Sequence, residues 1–294
     1  MATPTHSNLN STVPENTHLS SVNGNNTTKD RTRTNSLSRR KFLVTAGTGG
    51  TAISLFGGYA SWGGLLSDSD ANCREGAVVT SPLRGEWMVM NPPGHPALAD
   101  DFIGMKEGRR LPYPATSVPH HLVTQIEASR AYGWGRPVYA PVAGTVIEVS
   151  NDEPDKVRLN LGSDAAGALV SPPAIEDGDI RPAAGNYVTI SSDEGISFLA
   201  HLRKGSITVA EGMHVTSGEF LGEVGNSGAS LFPHLHYQLM SEWTTDVSRI
   251  EDVLLPYQFA GYEKKVGNLI QGHSWETVKN CVPAQRERFR IPTR

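Results

Sequence analysis

The chain has 294 residues, of which 19% are charged, and it contains 30 glycines and 19 prolines. This composition favours a β-rich domain with many turns over a helical bundle. The net charge is -4, but six of the 26 basic residues and only two of the 30 acidic residues lie within residues 1–41. The remainder of the chain is therefore acidic, which argues against nucleic acid as a partner.

The N-terminal region reads as a targeting segment. Residues 1–37 are rich in Asn, Ser and Thr, a composition that predicts a disordered extension. Arg39 and Arg40 precede an uncharged stretch to Ala60, so residues 38–60 resemble a twin-arginine signal. The stretch is rich in Gly and Thr, which disfavours a stable membrane span. We expect export to the periplasm, cell envelope or medium, with membrane contact only through an uncleaved signal.

The chain has two cysteines, Cys73 and Cys281, which are too far apart for a CxxC motif. In an exported protein they could form one disulfide bridge. Two buried thiols are an equally good interpretation, and the sequence leaves both open.

Residues 61–84 are predicted to be a linker, and residues 85–245 a single antiparallel β domain, either a sandwich or a flattened barrel. The prediction is supported by short runs rich in β-branched residues that are separated by Gly and Pro. The predicted strands are 86–90, 137–140, 144–150, 156–161, 186–191, 196–202, 206–210, 219–224 and 234–240. The predicted insertions are long loops at 103–134 and 162–184. Residues 246–294 are expected to form an irregular extension packed on the domain, with a short helix possible at 248–254.

Two histidines, His234 and His236, lie two positions apart on a predicted strand, so their side chains point to the same face. Histidine is the commonest metal ligand but is also frequent on protein surfaces. A catalytic zinc site needs three protein ligands and an open position for water. The pair alone does not distinguish half of such a site from a half-exposed strand.

Five segments, the last of which contains this histidine pair, occur in the order of one known family. They read GRPVYAPVAGTV at 135–146, GNYVTI at 185–190, LAHL at 199–202, VTSGEFLGEVGNSG at 215–228 and PHLH at 233–236. Together they resemble the signature of the lysostaphin-type (LytM-like) zinc metallopeptidases, which cut cross-link peptides in bacterial cell walls. Leu199 replaces the usual Tyr, and Phe232 replaces a common Gly before PHLH, where its side chain is expected to narrow the groove.

The resemblance implies a fold like the family's duplicated hybrid motif and one Zn²⁺ per chain. It implies that His236 binds the metal and that His234 acts in general acid/base chemistry or in stabilising the transition state. It also implies that His201 stands beside His234 and polarises water or the oxyanion.

The first metal motif departs from the family, which usually has two ligands four residues apart. The best match here is His95 with Asp101, six residues apart, so that a loop must fold back to bring both to one metal. Asp100 would point the other way in an extended segment. The rival pair is His121 with Glu127, which lies closer to the PVYAP segment.

The sequence thus predicts a zinc-dependent endopeptidase that hydrolyses peptide bonds in peptidoglycan cross-links or stems. The alternative is a non-catalytic family member that binds or regulates a cell-wall hydrolase. The retained His201, His234 and His236 argue against the alternative, whereas the unusual first motif favours it.

Overall fold

A computed structural model describes residues 73, 75–92, 95–114, 125–160, 178–268 and 272–292. The predicted disordered extension, the signal segment and His121 lie outside these residues. In the described part, the strands are β1 Ala77–Val79, β2 Gly85–Val89, β3 Asp100–Gly104, β4 Ile126–Glu127, β5 Pro137–Tyr139, β6 Gly144–Ser150, β7 Arg158–Leu159, β8 Asn186–Ser192, β9 Gly195–Leu202, β10 His214–Val215, β11 Phe220–Glu223, β12 His234–Met240, β13 Leu254–Leu255, β14 Tyr257–Phe259, β15 Tyr262–Asn268, β16 Gly272–Val278 and β17 Arg288–Ile291. Two short helices accompany them, α1 Arg181–Ala184 and α2 Val247–Val253.

The predicted all-β, antiparallel, sandwich-like class is confirmed. One large sheet runs in the order β10-β6-β8-β9-β12-β3-β2-β17-β15-β16, with β13 paired to β12. It does not close into a barrel, so the sandwich alternative describes it and the barrel alternative does not. Three two-stranded sheets, β1-β14, β11-β5 and β4-β7, complete the architecture.

The central strand β12 is buried along its whole length, and its two faces differ in chemistry. Leu235, Tyr237 and Leu239 belong to the main apolar core. The alternate residues His234, His236 and Gln238 are also buried but polar. Because side chains alternate across a strand, the sheet separates an apolar face from a face able to carry chemistry.

One predicted strand, at 206–210, is absent. This stretch is held by irregular bonds instead of a strand ladder: Ser206 Oγ donates to the Arg203 carbonyl at 2.7 Å, and the Ile207 N–H donates to Asn151 Oδ1 at 3.3 Å. Conversely, β3 was not predicted, because its sequence DDFIG begins with two carboxylates that normally disfavour strands.

The short helix expected at 248–254 is present as α2. The rest of the C-terminal extension was expected to be irregular but forms strands β13 to β17. β17 pairs with β2 and places Phe289 opposite Trp87, so the extension continues the main sheet. Part of the predicted linker forms β1, which pairs in parallel with β14. Cys73 and Cys281 form a disulfide, which decides between the two interpretations of the cysteines. No helix among the described residues is long and apolar enough to cross a membrane.

Candidate metal centre

The site is built first by the pairing of β3 with β12. In this antiparallel ladder Asp101 lies opposite His236, and Ile103 lies opposite His234. Directly opposed residues share a face and lie close together. The pairing therefore brings a carboxylate and two imidazoles, widely separated in sequence, to one face of the sheet.

His95 reaches the same point from the loop before β3. Its Nε2 lies 3.0 Å from Asp101 Oδ1 and 3.1 Å from His236 Nδ1. The third distance, from His236 Nδ1 to Asp101 Oδ1, is 2.9 Å. The loop therefore folds back across the six-residue gap, and His95, Asp101 and His236 form a group that could hold a metal ion.

The hydrogen bonds on the far side of each ring assign the imidazole tautomers. His95 Nδ1 lies 3.2 Å from the Pro96 carbonyl, and His236 Nε2 lies 3.0 Å from Gln238 Oε1. Both oxygens can only accept, so these nitrogens carry the protons. In the neutral rings His95 Nε2 and His236 Nδ1 then present lone pairs to each other and to Asp101 Oδ1.

Three lone-pair atoms about 3 Å apart repel one another unless a cation lies between them. Two imidazole nitrogens and one carboxylate oxygen are a ligand set that zinc accepts in catalytic sites. A tetrahedral zinc with bonds of about 2.0–2.1 Å would separate its ligand atoms by roughly 3.3–3.4 Å. The observed separations are a few tenths shorter, which small side-chain shifts would accommodate. The residues therefore fit a zinc ion.

His234 stands beside this group without belonging to it. Its Nδ1 donates to the Phe232 carbonyl at 2.7 Å, and its Nε2 lies 3.3 Å from Asp101 Oδ1. Burial by itself lowers the pKa of His234, but the negative charge and hydrogen bond of Asp101 outweigh it and raise that pKa. With Nδ1 fixed on a carbonyl, Nε2 is the atom that can accept or give a proton in the cleft.

His201 reaches the site through a β-bulge. Asn186 pairs with Leu202 while Tyr187 pairs with Ala200, so His201 is the extra residue of β9. Its φ is 63°, in the left-handed region that a residue with a side chain seldom adopts.

A regular strand would place His201 on the apolar face with Leu199. Instead its ring centroid lies 4.6 Å from that of His234. Its Nδ1 donates to the Ser227 carbonyl at 3.0 Å, which leaves Nε2 without the ring proton. Burial, followed by the charges of His234 and His236, lowers the pKa of His201 well below its usual value, so this ring is neutral.

The two adjacent carboxylates of β3 have opposite environments. Asp101 is buried, which by itself raises its pKa, but the charge of His234 and its hydrogen bond hold that pKa well below the usual value. Asp100 points to the other face, where its Oδ2 accepts a 2.6 Å hydrogen bond from the Tyr257 hydroxyl. Only Asp101 is thus available to a metal.

The structure brings together the five predicted site residues, His95, Asp101, His201, His234 and His236. Glu127, the carboxylate of the rival pair, is not among them. Glu127 is exposed and pairs with Arg158 between β4 and β7. Its predicted partner lies outside the described residues. Phe232, which was expected to narrow the groove, is buried and packs 5.9 Å from Tyr113, ring to ring. Its side chain therefore fills a neighbouring apolar cluster.

Two residues that support the site were missed from the sequence. Gln238 lies two residues after His236 and therefore on the same face of β12. This spacing could have identified it from the sequence. Asn91 could not have been found in this way, because it acts through a loop: its Oδ1 accepts the N–H of Asp101 at 2.9 Å and its Nδ2 donates to the Ala99 carbonyl at 3.1 Å.

The fold and site thus define an all-β domain with a His–Asp–His group that could hold a metal and two further histidines beside it. Residues 126–247 match the model of peptidase family M23. The matched residues are similar to the lysostaphin/LytM-like family, in agreement with the resemblance of the sequence motifs. The match includes His201, His234 and His236, whereas His95 and Asp101 precede it.

Curated relatives show the same similarity. Lysostaphin from Staphylococcus staphylolyticus is 29% identical over 125 residues, which are 41% of this chain and 25% of that protein. Lysostaphin from Staphylococcus simulans is also 29% identical over 125 residues, 41% of this chain and 24% of that protein. The chain therefore spans about a quarter of the length of these relatives.

Solved structures give a weaker likeness. The catalytic domain of lysostaphin from S. simulans is 17% identical, with a TM-score of 0.30, and the match covers 56% of this chain and 86% of that one. A zinc-containing peptidase from Vibrio cholerae is 20% identical, with a TM-score of 0.28, over 59% of this chain and 38% of that one.

Proposed function

We propose that this chain is a zinc-dependent endopeptidase of the bacterial cell envelope that hydrolyses peptide bonds in peptidoglycan cross-links or stems. The observation that carries the proposal is the convergence of His95 Nε2, Asp101 Oδ1 and His236 Nδ1 within 3.1 Å of one another. The family of the matched domain supplies the class of substrate. The predicted twin-arginine segment supports export to the compartment where that substrate lies.

His95, Asp101 and His236 would hold the zinc. When bound, zinc acts as a Lewis acid that polarises a carbonyl and lowers the pKa of a coordinated water. The chain's own contribution to proton transfer lies in His234, because its Nδ1 is fixed on the Phe232 carbonyl and its Nε2 faces the ligand group. This Nε2 would take a proton from the attacking water and return it to the leaving amine.

His201 would assist as a neutral imidazole. Its lowered pKa keeps the ring uncharged, and its Nδ1 proton is committed to the Ser227 carbonyl. The ring therefore holds His234 in place through their 4.6 Å contact and offers Nε2 as an acceptor in the cleft. The unusual backbone of the bulge is consistent with a functional position, since such conformations persist where the surrounding structure enforces them.

The test measures the zinc content and peptidoglycan hydrolysis of the full chain. His95→Ala, Asp101→Ala and His236→Ala should each lose zinc and activity. His214→Ala, a change at an exposed histidine of β10, and His121→Ala should retain both. His234→Ala should retain about one zinc per chain but lose hydrolysis by a factor of about 10² or more. Full zinc in His236→Ala, or hydrolysis by His234→Ala at the wild-type rate, would overturn the proposal.

A further inference from the structure

A second candidate site lies on the same sheet face as the metal centre. Asp101 and Ile103 share a face of β3, and Ile103 lies opposite Met88 of β2. Glu86, two residues before Met88, is on the same face and lies opposite Arg290 of β17. The same sheet face thus continues from the ligand group into the C-terminal extension, with the buried apolar side chains of Ile103 and Met88 between the two polar regions.

The face extends by two more strands. Glu263 of β15 lies opposite Arg290, and Lys265, two residues further on, lies opposite Trp275 of β16. Neighbouring strands are about 4.8 Å apart, so β17 lies roughly 10 Å and β16 roughly 19 Å from β3 across the sheet. An extended peptide of about six residues spans the longer distance. One extended substrate is therefore long enough to reach both the metal centre and this region.

A pocket of about 250 Å³ opens in this region. Its walls include the side chains of Glu86, Lys106, Glu107, Arg136, Trp275 and Arg290. This volume suits one small group of a ligand rather than a whole molecule, since pockets for drug-sized ligands run from about 300 to 1,000 Å³.

The pocket and its wall carry an excess of positive charge. The cations are Lys106, Arg136, Lys265, Arg288 and Arg290, and the carboxylates are Glu86, Glu107 and Glu263. Glu86 is shared by two of the cations, because Arg288 Nη2 bonds to it and Lys265 Nζ lies 3.8 Å away. Burial, followed by the charge of Arg288, lowers the pKa of Lys265, as expected where positive charges crowd together. In an acidic chain this local excess favours an anionic ligand.

The cations are held in place before any ligand arrives. Arg136 donates to the carbonyls of Glu86 at 2.8 Å and Met105 at 2.6 Å, and its guanidinium lies 4.9 Å from the Trp87 ring centroid. It is thus anchored by two neutral carbonyls, and the negative charge of Glu86 compensates only part of its own. The Arg290 guanidinium lies 4.4 Å from the Trp275 ring centroid. A fixed guanidinium loses little entropy when it binds an oxyanion.

We propose that this pocket binds a carboxylate carried by the peptide substrate, as a subsite remote from the bond that is cut. The inference rests on the proposed wall-peptide substrate. The C-terminal extension would then contribute to substrate binding as well as to the sheet.

The test measures binding to metal-depleted full-length protein, which separates the pocket from catalysis. The probes are a soluble peptidoglycan fragment with free carboxylates, the same fragment with its carboxylates amidated, and free glutarate. The variant is Lys106→Gln/Arg290→Gln. The matched control is Arg249→Gln, which removes an exposed cation that pairs with Glu242 elsewhere on the surface.

We expect the free-carboxylate fragment to bind at least about tenfold tighter than the amidated one, with a preference that weakens as salt rises. The double variant should bind both fragments equally weakly, and Arg249→Gln should behave as wild type. If glutarate competes with the fragment, the pocket accepts carboxylates of any source. If glutarate does not compete, the pocket is specific for the carboxylate of the peptidoglycan fragment. Equal binding of the two fragments by wild type, or an unchanged preference in the double variant, would overturn the inference.

Failure of this inference is distinguishable from failure of the proposed function. If the zinc-loaded enzyme hydrolyses peptidoglycan while amidation leaves binding unchanged, only the subsite is wrong. If the enzyme holds zinc but hydrolyses no peptidoglycan, the proposed function fails regardless of the binding result.

Discussion

Asp101 lies directly opposite His236 in the ladder between β3 and β12, with Asp101 Oδ1 2.9 Å from His236 Nδ1. The ligand group therefore depends on strand register. A slip of one residue would turn the side chains of one strand to the other face, exchanging Asp101 for Asp100. Asp100 is bound to Tyr257 on that other face, which opposes such a slip.

Gln238 should determine how tightly the metal binds. Its Oε1 accepts the Nε2 proton of His236 and so directs the Nδ1 lone pair to the metal. We expect Gln238→Leu to weaken zinc affinity by about 10- to 100-fold, measured by competition with a chelator. Gln238→Glu keeps the acceptor and should restore most of the affinity. Equal zinc affinity in wild type and Gln238→Leu would exclude this role.

Asn91 should act as a positioning residue for the loop that carries His95. Its side chain bonds both the Asp101 N–H and the Ala99 carbonyl, and its backbone exchanges two hydrogen bonds with Gln285 of the C-terminal extension. Asn91→Ala would leave the buried Asp101 N–H without this acceptor and loosen the loop. We expect zinc affinity to fall about tenfold or more, because a displaced ligand weakens the whole set.

A control for Asn91 exists in the same molecule. Asn151 makes the same kind of bonds with the backbone of Ile207, where its Nδ2 donates to the carbonyl and its Oδ1 accepts the N–H, both at 3.3 Å. Asn151→Ala should lower the melting temperature of the metal-free protein but leave zinc affinity unchanged. If both variants lose stability alike and neither loses zinc affinity, Asn91 has only a structural role.

Glu287 should make the protein less stable as pH rises from acid to neutral. Burial raises the pKa of this carboxyl, and the Tyr262 hydroxyl and the Ala284 backbone only partly offset it. The folded state then binds the proton more tightly than the unfolded state. Protonation of Glu287 therefore stabilises the folded state fully when the pH is below the pKa of this carboxyl in the unfolded state. This stabilisation is lost as the pH rises through the pKa of Glu287 in the folded state.

Glu287→Gln should therefore melt at a higher temperature than wild type at neutral pH, and the difference should vanish in acid. Each 1 kcal/mol gained corresponds to roughly 2–4 °C for a domain of this size. Glu194→Gln, a change at an exposed residue, serves as the control and should not alter the pH dependence. A Glu287→Gln variant that is less stable at neutral pH would contradict the assignment.

The Cys73–Cys281 disulfide should contribute strongly to stability, since it closes a ring across 208 residues. Replacing both cysteines with serine should lower the free energy of unfolding by about 2–5 kcal/mol. Urea unfolding with and without reductant measures this. Wild type in reductant should resemble the double variant, which should itself be insensitive to reductant. An unchanged wild-type midpoint in reductant would show that the bridge adds no stability.

Some features of this protein follow from local sequence. The all-β class could be derived because strand periodicity and turn residues are short-range signals. His234 and His236 share a face because side chains repeat every two residues along a strand, and the same repeat places Gln238 on that face. The family resemblance identified His201 as a neighbour of the pair.

Other features depend on contacts between distant segments, which no local pattern encodes. The register of β3 against β12 determines that Asp101, and not Asp100, faces the ligand group. The side chain of His201 reaches the site only because a bulge in β9 reverses its face. The loop of His95 closes through Asn91, and the C-terminal strands pair with β2 although their sequence reads as irregular. Tertiary structure decides these points because register, bulges and loop closure are selected by packing across the sheet.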